Sequence, residues 1–276
     1  MKGTPSFLYG TAWKEEHTER LTRLAVLSGF RGIDTANQRK HYFEGAVGKA
    51  LTCLWDEGVC TRQELFLQTK FTFKRGQDHR LPYDPSAPYA TQVLQSFESS
   101  LHHLRTDHLD SYVLHGPSMN TGLTDADWQV WGAMEHLQRA GKTRYLGISN
   151  VRASQLGGLL ANATIKPKFV QNRCFATTGW DMDVRRICAE NDVIYQGFSL
   201  LTANRLPLKQ APFFAIARRY EVTVPQVVFA FARSAGMLPL TGTSSEEHMK
   251  EDLASLALTL TVEEQRFIER CAYTRS

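Results

Sequence analysis

Apolar residues in this chain fall into short runs that alternate with stretches of three-four spacing from one end to the other. The short runs predict strands at Phe7 to Tyr9, Ile33, Leu65 to Thr69, Leu109 to Leu114, Tyr145 to Ile148, Lys168 to Val170, Val193 to Phe198 and Leu238 to Leu240. Helical spacing predicts Glu16 to Ser28, Gly45 to Asp56, Tyr89 to Leu104, Thr124 to Ala140 and Ala153 to Ala161. It continues with Asp183 to Asn191, Ala211 to Tyr220, Pro225 to Ser234, Glu246 to Ala257 and Thr261 to Cys271. Leu21, Leu24 and Leu27 form the apolar face of the first helix, and Leu94, Phe97, Leu101 and Leu104 that of the third. Thr124 with Asp127, and Thr261 with Glu264, have the spacing of N-terminal capping pairs.

Eight strands, each followed by a helix, in 276 residues is the pattern of a (β/α)8 TIM barrel. A doubly wound open sheet would be favoured by a Gly-rich phosphate fingerprint after the first strand, and no GxGxxG occurs. There is no break in composition and no flexible linker, so residues 1–276 read as a single barrel domain. The active site of such a barrel lies at the C-terminal ends of its strands.

Charge and cysteine content narrow the setting. The net charge of +4 is spread among mixed acidic and basic residues with no long Lys/Arg run, which argues against nucleic acid as a partner. The five cysteines form no CxxC pair and read as free thiols of a reducing compartment. The opening residues are too few and too quickly polar for a signal peptide, and no apolar run approaches the roughly 18 residues of a membrane span. A cytoplasmic protein, monomeric or weakly oligomeric, with no membrane partner and no metal, is expected.

The strand ends carry the candidate chemistry. Asp34, Lys70 and His115 end the second, third and fourth strands. Ser149 and Asn150 end the fifth, Gln171 the sixth and Phe198-Ser199 the seventh, while the eighth runs into Gly242, Thr243, Ser244 and Ser245. A buried Asp and Lys must pair or shift their pKa values. A loop carrying Arg39, Lys40, His41 and Tyr42 follows Asp34. A phenol beside an ammonium, a carboxylate holding that ammonium and a histidine to orient an oxygen make an acid-catalysis site for carbonyl reduction. In this reading Arg39, Lys40 and Lys70 together lower the phenol's pKa. The hydride has to come from a cofactor.

With these residues placed, the chain resembles the aldo-keto reductase family. The resemblance rests on GFRGIDTA, LFLQTKF, SSLHHLRTDHLDSYVLHGP, GKTRYLGISN, KFVQNRCF and LTGTSSEEHMKEDL, in that order. It implies an oxidoreductase that reduces small aldehydes or ketones with NADP(H), or less often NAD(H). It carries the catalytic Asp, Lys and His onto Asp34, Lys70 and His115, and the nicotinamide carboxamide site onto Ser149, Asn150 and Gln171. Phe198 falls where a Tyr usually stacks on the nicotinamide ring, so the aromatic face is kept and only the hydroxyl is lost. Gly242, Thr243, Ser244, Ser245, His248 and Asp252 match the adenosine phosphate segment. Gly10, Thr11, Ala12, Asp34, Ser199 and Leu201 complete the implied cofactor contacts, and Trp13, Tyr42 and His115 the substrate pocket.

The pattern also departs from the family at the proton donor and in the phosphate segment. The proton-donating Tyr is expected five residues after the Asp, where Arg39 stands, whereas counting back from Glu44 gives His41. The loop is two residues longer than usual, and chemistry favours Tyr42 as the acid. The phosphate segment has Gly242 and His248 where Lys and Arg often stand. The rival reading is a non-catalytic, nucleotide-binding regulatory subunit like the potassium-channel β subunits of the same fold.

Overall fold

The computed structural model describes residues 3–271. Eight parallel strands close into a barrel in sequence order, with β1 also paired to β8. They are β1 (Leu8–Gly10), β2 (Gly32–Asp34), β3 (Phe66–Phe71), β4 (Leu109–Leu114), β5 (Thr143–Ser149), β6 (Phe169–Arg173), β7 (Ile194–Phe198) and β8 (Met237–Thr241). The surrounding helices are α1 (Thr18–Leu27), α2 (Glu44–Asp56), α3 (Tyr89–Leu104), α4 (Asp125–Arg139) and α5 (Ala153–Asn162). They continue with α6 (Met182–Glu190), α7 (Ala211–Arg219), α8 (Val224–Ser234), α9 (Glu246–Ala254) and α10 (Val262–Arg270).

The expected elements are all present, with small shifts at their ends. Glu16 and His17 lie in a short 3-10 turn ahead of α1, and the stretch expected to prolong α9 tightens to a 3-10 turn at Ser255–Ala257. Thr124 caps α4 and Thr261 caps α10, each in a reciprocal box with the acid three residues on. Two apolar faces differ from the expectation. Leu27 is 56% exposed and Leu24 only half-buried, while Ala25 and Val26 are buried with Leu21. In α3, Leu94 is 39% exposed and Val93 takes its place beside Phe97, Leu101 and Leu104. Both helices satisfy the three-four rule in two registers, and the sheet they pack on selects one.

Side-chain alternation along the strands divides the barrel's contents. One set of residues, Tyr9, Leu67, Tyr112, Leu114, Ile148 and Val170 among them, packs outward into the large core against the helices. A separate cluster, Leu8, Phe66, Phe169 and Leu238 with Tyr145, Ile194 and Leu240 against it, makes an apolar floor. Two residues further along β3, β6 and β7 come Gln68, Gln171 and Gln196, all buried. The barrel thus carries a polar layer between its apolar floor and its mouth.

Candidate active site

The polar layer centres on Asp34, the last residue of β2. Lys70, two residues beyond Gln68 on β3, gives its ammonium to Asp34 Oδ1 and Oδ2, both at 2.7 Å, and to the Thr35 carbonyl at 2.8 Å. Lys70 is 0% exposed and Asp34 2%, so both charges are buried. Taking these charges out of water is costly, and their mutual contact with three satisfied ammonium donors is what offsets that cost. Burial lowers the pKa of Lys70, and Asp34 works against that shift. Asp34 Oδ1 also accepts from Gln68 Nε2 at 2.7 Å and Gln171 Nε2 at 3.0 Å.

Tyr42 and His115 close over this pair. Lys70 Nζ lies 5.2 Å from the centre of the Tyr42 ring, and the Tyr42 and His115 rings are 5.9 Å apart in an edge-to-face contact. His115 shares a 2.7 Å hydrogen bond through Nδ1 with Thr72 Oγ1. Burial, then the charges of Lys70 and His41, push its pKa down to about 3, so the imidazole is neutral at physiological pH. The structure therefore brings together Asp34, Lys70, Tyr42 and His115, although they are distant in sequence.

The phenol behaves differently from the expectation. Burial, and then the Asp34 carboxylate, raise the pKa of Tyr42. Two of the basic neighbours also make close contacts with other groups. Lys70 faces Asp34, while Arg39 pairs with Glu15 at 3.2 Å and lies over the Phe43 ring at 4.2 Å.

His41 turns toward a different partner. Its ring stacks on Trp13 with centroids 3.9 Å apart, and its Nδ1 donates to Gln38 Oε1 at 2.9 Å. Burial and then Lys40 lower its pKa. Trp13 is 70% exposed and holds a left-handed backbone, φ 61°, with its N–H bonded to the His41 carbonyl. Asn150 (φ 52°) and Ser199 (φ 57°) are left-handed too. Non-glycine residues in this region carry a cost of roughly 1–2 kcal/mol each, and the same conformation also occurs away from the barrel mouth, as at Arg105, Asp192 and Glu221.

The remaining predicted positions line one side of the barrel mouth. Thr11 bonds the Asp34 carbonyl through its N–H and Oγ1. Ser149 Oγ donates to the Gln171 carbonyl at 2.6 Å, and exposed Asn150 donates through Nδ2 to the His115 carbonyl and to Ser149 Oγ. Phe198, Ser199 and Leu201 are half-buried at the end of β7 and in its loop. Ser245 Oγ accepts from the His248 N–H and so caps α9, leaving Gly242, Ser244 and His248 exposed. Asp252 is buried one turn further into α9, and burial raises its pKa to about 7.

Three contributors were not singled out from the sequence. Gln68 and Gln196 sit inside strands that read as ordinary apolar runs. Lys14 reaches from the loop after β1 to the Gly242 carbonyl in the loop after β8, and burial lowers its pKa. A polar residue two positions before Lys70 on the same strand face was the one available signal for Gln68.

A profile of the aldo/keto reductase family matches residues 2–272. The chain belongs to the aldo/keto reductase family. It is 28% identical over 254 residues to the glyoxal reductase of Bacillus subtilis, covering 92% of this chain and 83% of that one. It is 26% identical over 281 residues to the NADPH-dependent alpha-keto amide reductase of Saccharomyces cerevisiae, covering 92% and 82%. Among solved folds, an aldo-keto reductase of Bombyx mori in complex with NADP superposes with a TM-score of 0.82 at 21% identity, over 98% of this chain and 90% of that one.

Proposed function

We propose that this member of the family reduces small aldehydes or ketones to alcohols with NADP(H). The observation that carries the reading is the joint position of four side chains at one barrel mouth. Tyr42 and His115 stand over the buried Lys70–Asp34 pair, with 5.2 Å from the ammonium to the phenol ring and 5.9 Å between the two rings.

The residues present fit a nicotinamide dinucleotide. Gln171 directs its amide N–H groups to Asp34 and Gln196, which leaves Oε1 as the end able to accept from a carboxamide. Ser149 and Asn150 stand beside it, and half-buried Phe198 offers an aromatic face in place of the family's Tyr. Gly242 to Ser245 opens α9, whose N-terminus favours a phosphate. Trp13 and His41 make an aromatic wall for the substrate side. When bound, the cofactor supplies the hydride.

In this reading Tyr42 gives its proton to the developing alkoxide, since its raised pKa keeps the phenol protonated at neutral pH. Lys70 stabilises the phenolate left behind, and Asp34 holds Lys70 in place. A neutral His115 that accepts the Thr72 hydroxyl at Nδ1 carries its own proton on Nε2, where it can donate to the carbonyl oxygen.

Reduction of 4-nitrobenzaldehyde, followed by NADPH absorbance, tests the proposal. Tyr42→Phe is expected to lower kcat by at least about 100-fold, the low end for a positioned acid, and His41→Gln far less. The opposite order would make His41 the donor. Nucleotide binding without turnover of any carbonyl would favour the regulatory-subunit reading.

A further inference from the structure

Beneath the proposed site lies an interlocked set of amides. Gln68 Nε2 donates to Asp34 Oδ1 at 2.7 Å and to Gln196 Oε1 at 2.8 Å. Gln171 Nε2 donates to Asp34 Oδ1 at 3.0 Å and to Gln196 Oε1 at 2.9 Å. Gln196 Nε2 returns a bond to Gln68 Oε1 at 3.0 Å. Gln68 and Gln196 are 0% exposed and Gln171 is 3%.

The direction of every bond follows from one constraint. An ionised carboxylate only accepts, so Gln68 and Gln171 must both turn Nε2 toward Asp34. Their second N–H groups then both point at Gln196, which has to answer with Oε1. That leaves the Gln196 Nε2 for Gln68 Oε1. The one amide oxygen that the ring does not claim is Gln171 Oε1.

We infer that Gln196, through its reciprocal pair with Gln68, is a positioning residue that holds the Gln171 side chain with its carbonyl oxygen toward the nicotinamide carboxamide. Gln196 lies on β7, opposite Gln171 of β6 in register, and is 0% exposed, so it presents no surface to a ligand. Without it, the Gln171 amide has one acceptor instead of two. Its side chain can then rotate, and the site loses its preference for a partner that donates. The role rests on the proposed use of a nicotinamide dinucleotide.

Binding measurements on the folded, nucleotide-free protein test it, read as quenching of intrinsic fluorescence. The probes are NADP+ and its 3-acetylpyridine analogue, in which a methyl ketone replaces the carboxamide and no N–H is offered. The parent is expected to bind NADP+ about tenfold tighter, the worth of one hydrogen bond whose loss leaves a buried oxygen unpaired. Gln196→Met should bring that ratio close to one. Gln196→Asn, too short to span the gap yet still polar, should do the same and keeps the test open if the Met variant fails to fold. Gln196→Glu keeps an acceptor oxygen and should retain most of the ratio. A merely structural role would lower thermal stability and weaken both probes equally, so an unchanged ratio in folded Met or Asn variants overturns the inference. Failure of the parent to bind either nucleotide overturns the reductase reading as well.

Discussion

At the scale of single residues, burial decides most of the chemistry. Lys70 has three acceptors and no solvent, so Lys70→Met does two things at once. On the proposed mechanism it removes the charge that supports the phenolate, and steady-state assays should find turnover lost while titration finds the nucleotide still bound. It also strands Asp34 in the barrel, and the melting curve should record a loss of about 3–5 kcal/mol, the usual cost of breaking a buried pair. Asp252 is the reverse case, a buried carboxyl whose pKa is raised to about 7. Its unfolded value is about 3.9, so the folded state binds the proton more tightly than the unfolded chain. Its contribution to stability is therefore full below about pH 4, is lost as pH rises through 7, and stays lost above. Asp252→Asn, whose oxygen can still accept from Thr241, should raise the Tm of nucleotide-free protein at pH 8 and leave it unchanged near pH 4. The gain at pH 8 is expected on the order of 1–4 kcal/mol. A larger gain at acid pH would show that Asp252 is ionised and paired instead.

At the scale of elements, the same motif differs in worth according to where it sits. Asp127, 2% exposed, accepts from the Thr124 N–H and Oγ1 and from the Ser118 N–H and Oγ, so it ties the start of α4 to the loop after β4. Thr61 and Glu64 form a similar box at the surface ahead of β3. Denaturant unfolding of Asp127→Ala should show a loss of about 2–4 kcal/mol, against under about 1 kcal/mol for Thr61→Ala. Helix α2 makes a different point. A Cβ at Gly48 would run into the His103 carbonyl oxygen, so only glycine lets α2 approach the end of α3 this closely. The same approach brings buried Glu44, at the start of α2, to Thr69 of β3 and to Ser100 and His103 of α3. Gly48→Ala should lower Tm, by overpacking of about 1–3 kcal/mol or more, and it should also disturb the loop that carries Tyr42.

At the scale of the whole molecule, the barrel is a device for assembling strand ends. Its eight strands gather Asp34, Lys70, His115, Ser149, Gln171 and Phe198 within one mouth, and parallel pairing sets their heights. Binding there must stabilise the fold by linkage. NADPH at 100 times its Kd should add about 2.7 kcal/mol, a Tm rise on the order of 5 °C. NADH at equal concentration should give a smaller rise. An equal or larger rise would show that Gly242, Ser244 and His248 do not favour the 2′-phosphate.

Hydrophobic period and ordered motifs determined the barrel and most of the site. Strand and helix periods are local, and the end of a strand in this fold is a known place, so Asp34, Lys70, His115, Ser149 and Gln171 could be placed without coordinates. Tyr42 could not be separated from Arg39 or His41 by counting, because an insertion breaks the spacing. In the tertiary structure Tyr42 lies against both Lys70 and His115, while His41 stacks on Trp13. The faces of α1 and α3, the upward shift of the phenol, and the ring of Gln68, Gln171 and Gln196 were likewise decided in three dimensions. Each depends on which distant groups share a low-dielectric space, and period along a chain carries no record of partners across a barrel.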